Sequence, residues 1–248
     1  MKKIVSLLLV LAMMMALCTL TALADDTIIV ATNPEYPPFE YVEGEEVVGY
    51  DLDLWAAIAE KAGLTYEIES MDFDAVISSV AANPNTIGLS GISITDERLL
   101  TVDFSNGYIN AGLVVIVKAD SGYTTAEQLK GKKIGVQGGT TSETFVLEQL
   151  KQEPERSKSP AEAVAALKSG RVEFVIADID PAKNCVKGEA DLALSDFITS
   201  EEYAVAIRKG QPELLKAIDE TIAELKASGQ LDQWIRQFTE ESDKLKDE

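Results

Sequence analysis

Histidine is absent from the 248-residue sequence, cysteine occurs twice, and basic residues are scarce. Each lack removes a class of function. Without an imidazole there is no Ser-His-Asp or Cys-His catalysis, and the commonest zinc ligand is missing. With 22 basic residues against 42 acidic ones the formal charge is −20, which repels a phosphate backbone and excludes nucleic acid as a partner. No metal site and no cofactor is expected. The high acidic charge keeps the chain soluble and disfavours anionic ligands on approach. A 46% apolar composition is ample for a buried core in one large domain or two small ones.

Only one markedly long apolar run occurs, Ile4 to Leu17, behind Lys2 and Lys3. It is too short and too near the terminus for a stable membrane span, and Ala22-Leu23-Ala24 offers a small-x-small cleavage pattern. Residues 1–24 therefore read as a signal peptide cut before Asp25, with a membrane-anchoring helix as the alternative. Cys18 raises lipidation as a rival, although Leu17 before it suits the lipoprotein peptidase badly. After cleavage Cys185 is alone, so no internal disulfide forms, and a small buried apolar role is expected for it.

From Asp25 onward, β-rich runs alternate with amphipathic helical runs, the pattern of an α/β fold with mainly parallel strands. Strands are predicted at Thr27–Ala31, Leu64–Glu69, Ile87–Ser90, Ala111–Lys118, Lys133–Val136, Phe174–Ala177 and Tyr203–Ile207. Helices are predicted at Leu52–Ala62, ended by Gly63, and at Asp74–Ala82, Glu143–Leu150 and Pro212–Ser228. Thr124-Thr125-Ala126-Glu127 reads as a capping box, and Ser159-Pro160-Ala161-Glu162 as a helix start with proline at its first position. A short last helix spans Leu231–Phe238, and the charged tail from Thr239 is expected to fray. No repeat and no flexible linker divides the chain.

Several residues could hold a small zwitterion. Arg98 follows the helix cap Thr95, where a cation opposes the helix dipole unless an anion lies nearby; a guanidinium can grip a carboxylate bidentately. It can equally be a surface arginine paired with Asp96 or Glu97. Gln137-Gly138-Gly139-Thr140-Thr141-Ser142 lies between a strand and a helix, where backbone N–H groups can bind an anion, and it matches neither the P-loop nor the dinucleotide pattern. A plain capped turn is the alternative. Asp178 closes an apolar strand, at the end where open α/β sheets place their crevice; it can bind an ammonium group or cap the next helix. Tyr36 and Phe73 can wall a side-chain pocket or belong to the core.

The motifs resemble the polar amino-acid-binding solute-binding proteins of ABC importers (bacterial solute-binding protein family 3). Ala31-Thr32-Asn33-Pro34-Glu35-Tyr36-Pro37-Pro38-Phe39-Glu40-Tyr41 and Gly49-Tyr50-Asp51-Leu52-Asp53-Leu54 look like the family's opening. Gly91-Ile92-Ser93-Ile94-Thr95-Asp96-Glu97-Arg98 is its most specific stretch, and Gly131 to Gln137 and Tyr203 to Gly210 follow in order. The resemblance covers residues 27 to 238. It implies the type II periplasmic-binding-protein fold, two α/β lobes joined by crossing strands near Tyr108–Gly112 and Thr199–Tyr203. Residues 25–110 and 204–248 would form the first lobe and 111–203 the second.

By the same resemblance Arg98 binds a ligand α-carboxylate with Ser93 and the N–H groups of Thr140 and Thr141. Asp178 and the Gly91 carbonyl bind the α-ammonium, Tyr36 and Phe73 sandwich the side chain, and Ser90 belongs to the same set. Asn33 helps choose the side chain, and it stands where some relatives have Asp. The stretch Ala82-Asn83-Pro84-Asn85-Thr86 also departs from the family pattern, in a loop. Implied partners are a free L-amino acid, polar or basic, and the permease subunits of an ABC transporter; a monomer is expected, exported to the periplasm or outside. The alternative is a prephenate-dehydratase-like enzyme on the same scaffold, for which Glu35 and Asp74 are the only acid-base candidates. A receptor's sensing domain is a further rival, though no membrane span follows residue 24.

Overall fold

The computed structural model describes residues 27–244; the expected signal peptide and Cys18 lie outside the described residues. Two five-stranded sheets form the two lobes. In the first, Tyr66–Ser70, Ile28–Thr32 and Thr86–Gly88 run parallel, and Ala206–Arg208 and Val102–Phe104 complete the sheet. Ala206–Arg208 pairs antiparallel with Thr86–Gly88. The second sheet repeats the plan. Glu155–Ser157, Ile134–Gln137 and Phe174–Asp178 are parallel, and Leu113–Lys118 pairs antiparallel with Phe174–Asp178, followed by Leu192–Leu194. In each lobe the antiparallel strand beside the parallel set is the one that enters from the other lobe.

The crossing itself is a two-stranded antiparallel ladder of Ile109–Ala111 and Glu201–Tyr203. The single strands expected at Ala111–Lys118 and Tyr203–Ile207 are each divided, because one part pairs in the crossing and the other in a lobe sheet. Local alternation cannot show that change of partner.

Leu113–Lys118 illustrates why the second sheet is covered on both faces. Val114 and Ile116 join one apolar cluster while Leu113, Val115 and Val117 join the other. A nearly continuous apolar strand with period-two side chains is what a sheet between two helical layers requires. The first sheet packs helices Tyr50–Ala62 and Pro212–Ser228 on one face through Leu54, Trp55, Ile58, Ile218 and Ile222. Helix Phe73–Ala82 covers the other through Phe73, Val76 and Val80.

Four local expectations need correction. The cap before the short helix Ala126–Leu129 is shifted by one residue: Gln128 Oε1, not Glu127, accepts from Thr125 N at 2.9 Å. The helix expected at Glu143–Leu150 begins at Thr141 and passes into a wider turn from Phe145 to Gln149. Cys185 is half-buried at the edge of the second lobe's core rather than enclosed. The tail from Thr239 does not fray, since the last helix spans Gln230–Lys244. Ser242 is buried and accepts a hydrogen bond from Asn184 Nδ2 at 3.3 Å, and Lys187 pairs with Asp243 at 2.8 Å. Polar contacts with helix Ile179–Val186 of the second lobe thus hold the end of a helix that hydropathy alone would stop at Phe238.

Among the described residues no helix is long and apolar enough to cross a membrane, and no cluster of His, Cys, Asp and Glu could hold a metal ion.

Candidate functional site

The site forms where the carboxyl ends of the parallel strands of both lobes face each other, the place where open α/β sheets leave a crevice. From the first lobe come Asn33, just after Ile28–Thr32; Phe73, soon after Tyr66–Ser70; and Ser90, Gly91 and Ser93, after Thr86–Gly88. From the second come Gln137 and Asp178, the last residues of their strands, and the loop Gly138–Thr140.

Arg98 is fixed by its short helix. Thr95 Oγ1 accepts from Arg98 N at 3.1 Å, so the expected cap is present. The guanidinium donates from Nη1 to Ser93 O at 2.7 Å and reaches across the cleft from Nη2 to Gly139 O at 3.1 Å. Its Cζ lies 5.6 Å from the centre of the Phe73 ring, a cation–π arrangement. Arg98 makes no ion pair with Asp96 or Glu97 among the described residues. Burial lowers its pKa, opposed mainly by the negative charge of Glu201 and then Asp178.

Asp178 is 4% exposed and stands at the N-cap position of helix Ile179–Val186, but its side chain makes no cap hydrogen bond. Its Oδ2 accepts from the Tyr36 hydroxyl of the first lobe, while Oδ1 has no hydrogen-bond donor. Burial, with Glu201 adding its charge, raises the Asp178 pKa to about 7; hydroxyls of Tyr36 and Tyr203 and the charge of Arg98 pull it back. The guanidinium and the carboxyl therefore each bond across to the opposite lobe, and their charges act on each other.

Further contacts close the cleft. Gln137 Nε2 donates across it to Asn33 Oδ1 at 3.0 Å, while Thr141 Oγ1 donates to Glu201 Oε2 of the crossing strand at 2.9 Å and ties the second-lobe loop to the hinge. Lys158 pairs with Asp72 at 3.1 Å on the outer rim. Gly139 has a φ of 76°, and a Cβ there would stand 2.9 Å from the Cα of Asp74 on the opposite lobe. Gly91 is similar, with φ 53° and a virtual Cβ 2.9 Å from the Tyr36 ring. Both close approaches need a residue without a side chain.

A cavity of about 500 Å³ opens beside Arg98, lined by Phe73, Thr95, Gly139 and Thr141 and by four carboxylates, Asp74, Asp96, Glu97 and Glu148. Its size is that of a small-molecule site. Glu35 is exposed and lines a separate cavity with Pro37 and Pro160, so it does not share the pocket of Arg98. Thr140 is buried and its Oγ1 donates to Gln137 O at 2.8 Å, which fixes the loop.

Behind the first-lobe half lies a buried carboxyl pair. Ser90 Oγ donates to Glu40 Oε1 at 2.8 Å and itself accepts from Asn33 N at 3.0 Å. Gly91 N and the Tyr108 hydroxyl both donate to Asp51 Oδ2 at 2.9 Å. Glu40 and Asp51 are fully buried and interact directly; burial and then the Asp51 charge raise the Glu40 pKa well above the usual carboxylate range, so Glu40 keeps its proton. Burial also raises Asp51, to about 7, against the pull of its hydrogen-bond donors.

Glu201, Gln137, Tyr203 and this carboxyl pair escape sequence reasoning as site components. Glu201 sits in a crossing strand with no local motif. Gln137 reads as the first residue of a turn, although its place at the end of an apolar strand is the signal it shares with Asp178.

Comparison with known proteins follows the same lines. The model of the bacterial extracellular solute-binding proteins, family 3, matches residues 28–241. An arginine-binding extracellular protein of Bacillus subtilis is 33% identical over 212 residues, covering 83% of each chain. The ABC transporter arginine-binding protein 1 of Escherichia coli is 32% identical over 241 residues, covering 92% of this chain and 99% of that protein. Among solved structures, an amino acid ABC transporter substrate-binding protein of Streptococcus pneumoniae bound to L-arginine superposes with a TM-score of 0.81 at 36% identity, over 88% of this chain and 97% of that one. These proteins bind solutes and are not enzymes, and the dehydratase alternative is set aside. With its two lobes, crossing strands and interlobe cleft, the chain belongs to the bacterial extracellular solute-binding proteins, family 3.

Proposed function

We propose that this protein binds one free L-amino acid with a polar or basic side chain in the interlobe cleft and delivers it to the permease subunits of an ABC transporter. The observation that carries the reading is that Arg98 of one lobe bonds to Gly139 of the other while Asp178 of the second bonds to Tyr36 of the first, with Asp178 Oδ1 lacking a donor. A zwitterion has one group for each: its α-carboxylate for the guanidinium of Arg98, with Ser93 and the N–H groups of Thr140 and Thr141, and its α-ammonium for Asp178 and the Gly91 carbonyl. Tyr36 and Phe73 wall the side chain, and Asn33 and Ser90 complete the first-lobe half. The acidic cavity beside Arg98 and the arginine-binding relatives support a cationic side chain.

Residues 25–110 and 204–248 act as one lobe and 111–203 as the other. They swing about the crossing strands, and the guest shifts the open–closed balance through its higher affinity for the closed form. The protein works as an exported monomer, freed by cleavage after Ala24 or tethered if Cys18 is lipidated. A thermal-shift screen of the twenty common amino acids tests the reading, because a guest that binds only the folded protein raises its melting temperature. A rise confined to polar or basic L-amino acids supports it; no rise with any of them refutes it.

A further inference from the structure

We infer that Glu143 is a positioning residue for closure: held by Arg156, it fixes the Gly138–Gly139 turn so that the Gly139 carbonyl is already in place when Arg98 arrives from the other lobe. The inference rests on the amino-acid reading above and adds the residue that prepares the second lobe for its guest.

Two adjacent glycines make a very pliable stretch of chain, because each samples both signs of φ and loses much freedom when it is fixed. Gly138 and Gly139 stand where the second lobe meets the first, with Gly139 O accepting from Arg98 Nη2 at 3.1 Å. A turn that wandered while the lobes were apart would have to be ordered afresh at every closure, and affinity would fall by the free energy of that ordering.

Bonds inside the second lobe hold the turn instead. Gly138 N donates to Ser157 O at 3.0 Å, and Gly139 N donates to Glu143 Oε2 at 2.7 Å. Thr140 is the N-cap of helix Thr141–Thr144 and Glu143 its third residue, the spacing of a capping box, but the box is offset. Thr140 Oγ1 donates to Gln137 O rather than capping, and Glu143 reaches one residue beyond the cap, to Gly139.

Both oxygens of Glu143 are engaged within the second lobe. Oε1 takes Nε of Arg156, which projects from Glu155–Ser157, the edge strand beside Ile134–Gln137. The Glu143 side chain is only 15% exposed, and it does not line the cavity beside Arg98. It therefore acts through Gly139 and not on the guest. Because Gly139 and Arg156 belong to the same lobe as Glu143, these bonds do not depend on the lobes meeting.

Calorimetry with L-arginine tests the assignment. Glu143→Ala should weaken arginine roughly tenfold, the contribution of a hydrogen bond to a charged acceptor. Arg156→Ala removes a half-exposed support and should weaken it about 2- to 5-fold; added to Glu143→Ala it should bring no further loss, because both act through one bond. A third substitution stiffens the turn by another route. Gly138 has no left-handed φ, and a Cβ there would lie 3.9 Å from its nearest neighbour, Ser157 O, so Gly138→Ala fits and narrows the freedom of the turn. It should restore arginine affinity roughly 2- to 5-fold in Glu143→Ala and add less to the wild type, whose turn is already held. A carboxylate that served only the fold would not be replaced by a methyl group at position 138. Should Glu143→Ala not fold, Glu143→Asp, which keeps the charge but is too short to reach Gly139 N, should show the same loss and the same rescue. Unchanged affinity in a folded variant, additive losses for the Glu143 and Arg156 substitutions, or equal gains from Gly138→Ala in both backgrounds overturns the assignment and leaves the amino-acid reading intact. Failure of the wild type to bind any amino acid overturns both.

Discussion

Tyr36 of the first lobe donates its hydroxyl hydrogen bond to Asp178 Oδ2 of the second, and the Tyr203 hydroxyl lies 3.3 Å from the same phenol oxygen. A phenol of the first lobe and one of the crossing strand thus gather at a single carboxyl of the second lobe. Phenols can stabilise that group in either charge state, but they carry no positive charge. Arg98 supplies part of the counter-charge from a distance, and the α-ammonium proposed above would supply it at the carboxyl itself.

Replacing the carboxylate tests that reading. Asp178→Asn should fold, since the amide keeps the shape and can still accept from Tyr36. Calorimetry with L-arginine should show affinity lower by at least roughly tenfold, the loss of a charged hydrogen-bond acceptor for the ammonium. Unchanged affinity would remove Asp178 from the site.

Acid should weaken binding through the same group. Asp178 has its pKa raised to about 7 in the closed cleft, so it holds a proton below that pH and must release it to face an ammonium. Affinity should be fully present above about pH 7 and fall by up to tenfold per unit as pH drops below it. Binding enthalpies measured at pH 6 in buffers of different ionisation enthalpy should reveal proton release on binding, and Asp178→Asn should abolish that release.

Much of this arrangement was legible in the sequence, and the misses share a cause. Caps and apolar stripes located helices such as Pro160–Lys168 and Pro212–Ser228, because Ser159, Pro160 and Gly229 act on their own neighbours. The placement of Arg98 behind the Thr95 cap and of Asp178 at a strand end is legible too, because both follow from neighbouring residues. The divided strands, the full length of the last helix, and the parts played by Glu201 and Gln137 were not. Each depends on a partner far along the chain: Glu201 on Thr141, Gln137 on Asn33, Ser242 on Asn184.

Closure should be sensitive to a single methyl group. In Gly139→Ala the new Cβ meets Asp74 of the opposite lobe at 2.9 Å, and the left-handed φ of 76° strains any side chain. The φ strain is present whether the lobes are open or closed and should lower the melting temperature by about 2–4 °C, whereas the contact exists only when the lobes meet, so affinity for arginine should fall roughly tenfold or more as the competent state becomes rarer. Small-angle scattering with saturating arginine should show less compaction than in the wild type. Equal compaction and equal affinity would mean that the lobes do not close by this contact.

The buried pair Glu40 and Asp51 should make stability depend on pH. Both carboxyls have folded-state pKa values raised by burial, Asp51 to about 7 and Glu40 well above the usual carboxylate range, so the folded protein binds more protons than the unfolded chain from about pH 4 upwards, and Asp51 loses its share as pH rises through about 7. Their contribution is most favourable at the acid end of that window and is lost as pH rises through it. Glu40→Gln supplies a neutral partner for Asp51 and should lower the pH at which Asp51 ionises. Its melting temperature should therefore vary less between pH 5 and 8 than the wild type's, a difference that scanning calorimetry resolves. An identical pH profile would show that the two groups do not share their proton.

The central claim is that Arg98 and Asp178 grip the two ends of one zwitterion. Isothermal titration of the wild type and Arg98→Ala with L-arginine and with agmatine, which lacks only the α-carboxylate, tests it most directly. The wild type should bind arginine and scarcely bind agmatine, and Arg98→Ala should lose about 2–5 kcal/mol towards arginine with no comparable loss towards agmatine. Near wild-type affinity of Arg98→Ala for arginine, or equal wild-type affinity for the two ligands, would contradict the account.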